Sequence, residues 1–226
     1  MDLDNKNFKD QFYLILTGIF IASLVASNLI FQKFFTWNFL GINFELSVGI
    51  IAYPVTFLVT DLISELYGQK RANQVVVSGF FASVFTTLLV LISVNAFAVE
   101  WSPIDDITFK KVFGLTGPAF FASMVAYLTA QLIDVRIFHF WKRLTKGKYL
   151  WLRNNASTMF SQLVDTSVIL IILCSAGVIE WERFYSLWMM GWIFKVLVAL
   201  FDTPIIYFCL WALKDKIQPT SYLEEH

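Results

Sequence analysis

Long apolar segments alternate with short polar connections along almost the whole chain. A bilayer core about 30 Å thick is crossed by a helix of roughly 20 predominantly apolar residues. Six segments meet that requirement: 11–31, 46–64, 74–97, 118–141, 157–179 and 185–213. The pattern therefore predicts a single domain of six transmembrane helices over residues 1–226. We also expect a short helix at the membrane surface over 102–114, because Ser102-Pro103 suits a helix start.

The composition agrees with a membrane protein. Hydrophobic residues make up 58% of the 226 residues and charged residues only 15%, whereas soluble domains are nearer one half and one quarter. The net charge is zero, which argues against a nucleic-acid partner. The first apolar run is long and follows a start of mixed charge, so we expect a retained helix rather than a cleaved signal. Cys174 and Cys209 are isolated in apolar runs, which favours packing over a disulfide or a metal site.

The distribution of basic residues predicts the orientation. With the N-terminus inside the cell, eleven Lys and Arg residues fall on the inner side and four on the outer side. Five of the eleven, Lys142, Arg143, Lys146, Lys148 and Arg153, come from the connection 142–156, which contains no acidic residue. Because cytoplasmic loops of membrane proteins are enriched in Lys and Arg, we expect both termini in the cytoplasm. Seven of the eight tryptophans fall near span ends, as in an aromatic belt: Trp37, Trp101, Trp141, Trp151, Trp181, Trp188 and Trp211.

The connection 142–156 joins two spans that carry similar polar pairs. Gln131 and Asp134 lie in one span, and Gln162 and Asp165 in the next. Ionisable groups inside a span normally face the bundle interior or a water-filled cavity. Because these two spans are antiparallel, equal rises of about 1.5 Å per residue predict crossed contacts of Asp134 with Gln162 and of Gln131 with Asp165. These groups either hold the two helices together or bind a substrate or ion, and we favour the second interpretation.

Other polar residues extend this candidate site. Asp61 follows Pro54, which is expected to bend its helix, and we favour a functional or gating role for this carboxylate. For Glu65, one turn beyond, we favour an interfacial acid neutralised by Lys70 and Arg71. Tyr53 and Arg136 are further gating or interfacial candidates. His139 is expected at the inner membrane surface.

The last span places Lys195 and Asp202 on one helix face, about 10 Å apart along the axis. That spacing suits a lysine reaching a carboxylate on a neighbouring helix. Pro204 interrupts the helix beside Asp202, a feature that often lines a transport site. Four span acids against two span bases would make an acidic cavity, and burial would permit one acid to hold a proton.

The first span carries two features with open interpretations. Gly18, Ala22 and Ala26 form a face of small residues at four-residue spacing, which lets another helix approach closely. We favour internal packing of this face over docking of a separate subunit. Asn28 either joins two helices by a hydrogen bond or belongs to the site.

No nucleotide-binding, metal-binding or hydrolase motif is present in the sequence, so we expect no catalytic residues, no metal and no cofactor. An intramembrane enzyme that uses the paired aspartates is the minor alternative. Composition and spacing alone therefore predict a transporter of a small polar substrate.

Four segments resemble the queuosine precursor transporter family, also called the vitamin uptake transporter family. They are YPVTFLVTDLISELYGQKRA (53–72), QLIDVRIF (131–138), LWLRNNASTMFSQLVDT (150–166) and FDTP (201–204). The resemblance covers the chain from Asn28 to the last span, and the first and third segments are the specific ones.

The resemblance implies a multi-pass importer of the bacterial inner membrane that takes up 7-deazaguanine precursors of queuosine, a modified tRNA base. Its fold would be similar to the substrate-binding subunits of energy-coupling vitamin transporters. The resemblance implies no energising partner, although a binding subunit that needs a separate ATPase module is the alternative. A carboxylate could accept from the ring N–H and exocyclic amine of such a base, Gln131, Gln162 or Asn28 could meet its carbonyl, and aromatic rings could stack on it. The preferred precursor, proton coupling and a homodimer stay open.

Overall fold

The computed structural model describes residues 3–31, 33–39, 42–114, 117–213 and 217. It describes the side chains of these residues except those of 3–6, 39, 42 and 117–119. The described chain is predominantly helical and contains six helices that are long and apolar enough to cross a membrane. The prediction of an all-α membrane protein with six spans is therefore confirmed. The membrane-spanning helices are α1 (Leu3–Ile30), α2 (Tyr53–Tyr67), α3 (Gln69–Val94), α5 (Gly117–Leu144), α6 (Leu150–Ser175) and α7 (Trp181–Leu213), and α4 (Asp106–Phe113) is short.

The predicted connection 32–45 contains a β-hairpin that the hydrophobic pattern did not reveal. Strand β1 (Phe34–Phe39) pairs antiparallel with β2 (Ile42–Ser47). Apolar and polar residues alternate along β2, so that Phe44 and Leu46 are buried while Glu45 is exposed. Aromatic residues, which favour strands, dominate β1.

The second helix begins later than predicted. Leu46 and Ser47 end β2, a 3-10 turn occupies Val48–Ile51, and α2 begins at Tyr53. Pro54 consequently lies in the first turn of α2, where its missing N–H costs nothing, and the predicted mid-helix bend is wrong. The apolar run over 46–52 gave the appearance of a longer span because it belongs to a buried strand end and a tight turn.

The connections after α2 and α5 are shorter than predicted. Gly68, with φ of 81°, is the single residue between α2 and α3. The predicted connection 142–156 reduces to 145–149, so Arg153 is a helical residue of α6. The prediction used basic residues to mark the loop, but Lys142 and Arg153 are buried at the ends of α5 and α6, so charge marked the loop too broadly. Lys214 and Lys216, which entered the charge count, lie outside the described residues.

The short helix between α3 and α5 is confirmed, but it begins at Asp106 rather than near Ser102-Pro103. The Asp105 carboxylate caps it by accepting a hydrogen bond of 2.7 Å from the backbone N–H of Thr108. Hydrogen bonds from Thr108 hold the pKa of Asp105 below its ordinary value. Ile107 and Val112 are exposed, and Lys110 and Lys111 lie between them, which suits a helix that lies at the membrane surface.

The apolar core lies among α1, α2, α3 and α5. Phe20 and Leu24 of α1 are fully buried and meet Tyr127 of α5, which is 1% exposed and donates a hydrogen bond of 2.7 Å to the carbonyl of Val76. Helix α7 lies at the edge of the bundle, where Ala199 and Ile206 are its buried residues. Exposed apolar side chains such as Phe201 and Phe208 are available to lipid.

The small-residue face of α1 does not pack inside the bundle. Gly18, Ala22 and Ala26 are all exposed, and no atom lies within 4 Å of a Cβ placed on Gly18. The preference for internal packing of this face is therefore wrong.

Gly79 provides a test of the core. A Cβ on Gly79 would lie 2.6 Å from Phe20 Cε1 and 2.8 Å from the Tyr127 hydroxyl oxygen. We expect Gly79→Ala to destabilise the protein by about 1–3 kcal/mol, because both rings are packed and overfilled cores are strained. Thermal unfolding in detergent measures the loss, and Gly18→Ala is the matched control without a contact. Equal melting temperatures for the two variants would contradict this packing.

Candidate functional site

A cleft of about 260 Å³, including space open to solvent, lies between α2, α6 and α7. Its polar lining comprises Tyr53, Thr158, Gln162, Lys195 and Asp202. Its apolar lining comprises Ile50, Pro54, Phe57, Val198 and Ala199. Four of the predicted site or gating residues therefore meet at one place: Tyr53, Gln162, Lys195 and Asp202.

One wall of the cleft is an aromatic pair on the first turns of α2. The rings of Tyr53 and Phe57 lie 5.6 Å apart in an edge-to-face arrangement. The start of α2 at Tyr53, set by Pro54 in the first turn, brings both rings to the same side of the helix because they are four residues apart. A flat, apolar ligand face could pack against such a wall.

A buried ion pair forms the floor beside this wall. Lys195 Nζ of α7 lies 2.5 Å from Asp165 Oδ2 of α6, and it also donates to Thr166 Oγ1 at 3.1 Å. The Tyr53 hydroxyl donates to Asp165 Oδ1 at 3.0 Å. Lys195 thus reaches a carboxylate on the neighbouring helix rather than Asp202 on its own. Asp165 lies behind the cleft and holds two of its lining residues in place.

The predicted crossed contacts between Gln and Asp residues are wrong. Gln131 is fully buried and exchanges hydrogen bonds with α2: its Nε2 donates to Thr56 Oγ1 at 3.1 Å, and its Oε1 accepts from Thr60 Oγ1 at 3.2 Å. Because α2 packs against α5, Thr56 and Thr60 of α2 form the hydrogen bonds of the Gln131 amide. The expected partner on α6 was wrong because the prediction compared α5 with α6 alone. Gln131 is helix–helix contact and does not line the cleft.

Gln162 lines the cleft instead of making the predicted contact with Asp134. Its side chain is 3% exposed, and its Oε1 has no hydrogen-bond partner among the described residues. Buried polar atoms without partners are rare in folded proteins and call for a ligand, ion or water. Gln162 is therefore the lining residue that most directly indicates a polar ligand.

Asp61 and Asp134 are buried next to the cleft. Asp61 is 2% exposed and accepts a hydrogen bond of 3.3 Å from the hydroxyl of Thr158, which itself lines the cleft. Asp134 is fully buried and accepts from Ser161 Oγ at 2.9 Å. Because Thr158 and Ser161 are three residues apart on α6, the two carboxyl groups lie against the same stretch of that helix. They sit behind the lining residues rather than in the cleft.

Two asparagines that were not predicted as site residues join α6 to α7 at Thr203, the residue after Asp202. Asn154 Nδ2 and Asn155 Nδ2 donate to Thr203 Oγ1 at 3.3 Å and 2.7 Å. The side-chain oxygens of both residues are buried without a partner. The signal was available, because Asn154, Thr158, Gln162 and Asp165 recur every three or four residues and mark one polar face of α6.

The end of the bundle near the α5–α6 connection is closed by a buried ion network. Arg153 Nη2 lies 2.6 Å from Glu65 Oε1, and Lys142 Nζ lies 3.7 Å from Glu65 Oε2. Arg153 also donates to the carbonyls of Gly147 and Lys148, both at 3.1 Å. This network joins α2, α5 and α6.

The expected neutralisation of Glu65 by Lys70 and Arg71 is therefore wrong. Both basic residues follow the sharp turn at Gly68 and are exposed. Arg71 instead lies 5.1 Å from the centre of the Tyr13 ring. His139, which we expected at the surface, is fully buried.

Two further candidates lie away from the cleft. Asn28 Oδ1 accepts a hydrogen bond of 2.9 Å from Ser123 of α5. Asn28 also lines a separate cleft of about 230 Å³, including space open to solvent, with Ser83 and Thr87 of α3. It therefore joins helices and does not belong to the cleft. Arg136 is exposed on α5 and lies outside the lining of the cleft.

Six apolar helices, with a polar cleft between three of them, define a multi-pass membrane protein with an internal polar site. The cleft and its surroundings contain buried charges, an aromatic wall and side-chain amide oxygens without a partner among the described residues. A sequence model of the family described as "Putative vitamin uptake transporter" matches residues 47–209. The chain belongs to this transporter family.

Curated relatives carry a more specific name. A "Probable queuosine precursor transporter" of Bacillus subtilis is 27% identical over 162 residues, covering 71% of this chain and 70% of the relative. The "Queuosine precursor transporter" of Escherichia coli is 26% identical over 199 residues, covering 86% of this chain and 83% of the relative. No solved structure matches the chain.

Proposed function

We propose that this protein imports queuosine precursors, in the form of 7-deazaguanine bases, through the cytoplasmic membrane of a bacterium with both termini inside. Membership of the vitamin uptake transporter family and the names of the two relatives support transport of this class of compound. The excess of basic residues on one side of the spans supports the orientation.

The observation that carries the proposal is the unpartnered Oε1 of buried Gln162 in a cleft with an aromatic wall. A 7-deazaguanine has a flat bicyclic ring with donors and an acceptor along one edge. The faces of Tyr53 and Phe57 provide the apolar contact. The Asp202 carboxylate, which lines the cleft, is placed to accept from the ring N–H and exocyclic amine.

The other polar groups of the cleft complete this assignment. The Gln162 amide either accepts from or donates to the base edge, since its oxygen and nitrogen can exchange places. Lys195 lines the cleft and can donate to the carbonyl oxygen of the base while Asp165 balances its charge. Gln131 and Asn28, which the sequence suggested for that carbonyl, are assigned to helix contacts instead.

Entry and exit require the cleft to open alternately to the two sides of the membrane. Tyr53 links the aromatic wall to Asp165, and Glu65 links α2 to Arg153 at the end that we assign to the cytoplasm. We assign to Tyr53 and Glu65 the closure of the cleft and of the cytoplasmic end, respectively. Arg136 is assigned an interfacial position, because its side chain is exposed.

Uptake by the purified protein in liposomes that contain no other protein tests the proposal. We expect saturable uptake of a radiolabelled 7-deazaguanine base, with the labelled compound recovered unchanged. An excess of unlabelled 7-deazaguanine should compete, and an excess of a vitamin such as riboflavin should not. Gln162→Ala should weaken binding of the base at least about 10-fold if one buried hydrogen bond is lost, and Gln69→Ala, outside the cleft, is the control. Chemically altered product would instead indicate an enzyme.

A second candidate function rests on the exposed small-residue face of α1. Gly18, Ala22 and Ala26 leave a surface on which a helix of a separate energising subunit could pack closely. This candidate predicts that the purified protein binds the base but moves it only when an ATPase module is added. Uptake by the protein alone excludes it.

A further inference from the structure

The carboxyl groups of Asp61 and Asp134 lie in the interior of the bundle, where both contact the same stretch of α6. Their side chains come from α2 and α5, and their residues are 2% and 0% exposed. One oxygen of each accepts a hydrogen bond from α6: Asp61 Oδ2 from Thr158, and Asp134 Oδ1 from Ser161. The second oxygen of each, Asp61 Oδ1 and Asp134 Oδ2, is buried and has no partner among the described residues.

Three cations of the neighbouring helices are paired elsewhere, and Arg136, two residues from Asp134 on α5, is exposed. Lys195 of α7 binds Asp165, and both Arg153 of α6 and Lys142 of α5 pair with Glu65. Asp202 of α7 adds a further negative group that acts on Asp61 through space. His139 lies on α5, five residues from Asp134 along the helix. The charged residues of α1 and α3 lie near the beginnings of those helices: Lys9, Asp10, Lys70 and Arg71 among the described side chains.

Two ionised carboxylates cannot occupy this arrangement together. Both would be removed from water, both would carry the same charge, and neither would have a cation in contact. A single proton placed between the pair turns one group into a donor and leaves the other as its acceptor. The partnerless oxygens, Asp61 Oδ1 and Asp134 Oδ2, are the carboxyl atoms that have no other donor in the described part of the chain.

The pair is connected to the cleft by one side chain. Thr158 donates its hydroxyl proton to Asp61 and also lines the cleft. A ligand that draws the Thr158 hydroxyl into a new hydrogen bond removes a donor from Asp61 and so changes how firmly the pair holds its proton. Occupancy of the cleft and occupancy of the pair are thereby linked, and linkage acts equally in both directions.

We propose that Asp61 and Asp134 form the proton-binding site of this transporter, hold one proton between them, and couple substrate import to inward movement of that proton. The proposal rests on the proposed function, since it takes the cleft to be the substrate site. One proton is bound from the outer side and released on the inner side in each cycle. Asp61 and Asp134 return to the same state, so no other reactant is consumed.

Two assays in protein-containing liposomes separate coupling from transport itself. Counterflow, the exchange of labelled for unlabelled 7-deazaguanine base without any gradient, reports only that the cleft binds and moves substrate. Accumulation driven by an acidic exterior reports coupling. For the native chain we expect counterflow, together with accumulation that approaches about 10-fold when the exterior is one pH unit more acidic, which is the equilibrium limit for one coupled proton. A protonophore should abolish the accumulation.

Asp134→Asn removes the exchangeable proton and keeps the shape of the side chain. We expect this variant to retain measurable counterflow but to lose acid-driven accumulation, and Asp61→Asn to behave in the same way. Glu100→Gln, at an exposed carboxylate, is the matched control and should behave as the native chain does. Acid-driven accumulation by Asp134→Asn at the native level would overturn the proposal.

A measurement on the native chain covers the case in which the variants fail to fold. A pH-sensitive dye inside the liposomes should report acidification of the interior when substrate is added outside at equal pH. Substrate uptake without acidification overturns the proton site and leaves the proposed function standing. Absence of counterflow by the native chain refutes the proposed function, and the proton site with it.

Discussion

Replacing Asp165 by Asn is expected to lower the initial rate of precursor uptake by at least about 100-fold, while the protein still inserts in the membrane. Lys195 would keep its charge in the cleft with no carboxylate to balance it, because its Nζ now lies 2.5 Å from Asp165 Oδ2. Breaking a buried ion pair by removing one partner costs about 3–5 kcal/mol, and about 2.7 kcal/mol is already 100-fold. Uptake into liposomes, normalised to the amount of inserted protein, measures the change.

This substitution separates charge from shape. An Asn at position 165 can still accept the hydrogen bond that Tyr53 donates to Asp165 Oδ1, so the aromatic wall keeps its anchor. The double variant Asp165→Asn with Lys195→Met removes both charges. We expect the double variant to regain thermal stability relative to the single variant but not uptake, because Lys195 lines the cleft. Near-native uptake by Asp165→Asn would show that the pair only holds α6 to α7.

The six spans were predictable because a transmembrane helix is a local property of the sequence. About 20 consecutive apolar residues satisfy their own backbone hydrogen bonds within one segment, whatever the neighbouring segments do. The hairpin β1–β2 was not predictable in this way, since its backbone groups are satisfied across strands. Its apolar end at Leu46 merged with the 3-10 turn and with α2 into one apparent span.

The residues that line the candidate site were partly predictable from the sequence, whereas their hydrogen-bond and ion-pair partners were not. Polar residues inside spans had to face the interior, which brought Gln162, Lys195 and Asp202 to the cleft. Partners depend on which third helix fills the space between two others. Thr56 and Thr60 of α2 therefore bind Gln131, which was expected to contact Asp165. A comparison of depth along α5 and α6 leaves α2 out, so it could not reveal the contacts with α2.

The ion network near the α5–α6 connection likewise depends on contacts between helices, which the sequence pattern does not reveal. Arg153 lay in a predicted loop and was counted only as an orienting charge. The extension of α6 to Leu150 instead carries Arg153 into the bundle, where it is 1% exposed and pairs with Glu65. Buried charge pairs are weak evidence for stability, since their desolvation offsets their attraction. The proposed role of Glu65 in closing this end of the bundle gives such a network a reason other than stability.

Glu65→Gln is expected to open that closure. Arg153 and Lys142 would both lose the carboxylate that now lies 2.6 Å and 3.7 Å from their nitrogen atoms. A loss of about 3–5 kcal/mol would lower the melting temperature in detergent by roughly 10 °C for a chain of this size. With the end that we assign to the cytoplasm no longer held shut, liposomes loaded with substrate should lose it faster than liposomes with the native chain, and accumulation should fail.

The exposed ion pair between Glu180 and Arg183 provides the matched control. Its atoms lie 3.7 Å apart, like those of Lys142 and Glu65, but its side chains are 71–77% exposed. Because surface pairs contribute about 0–1 kcal/mol, Glu180→Gln should leave melting temperature, efflux and accumulation near native values. If Glu65→Gln matched Glu180→Gln in all three, the network would have no role in closure. If the melting temperature of Glu65→Gln fell while its efflux stayed native, Glu65 would only stabilise the fold. The gate would then lie elsewhere in the bundle.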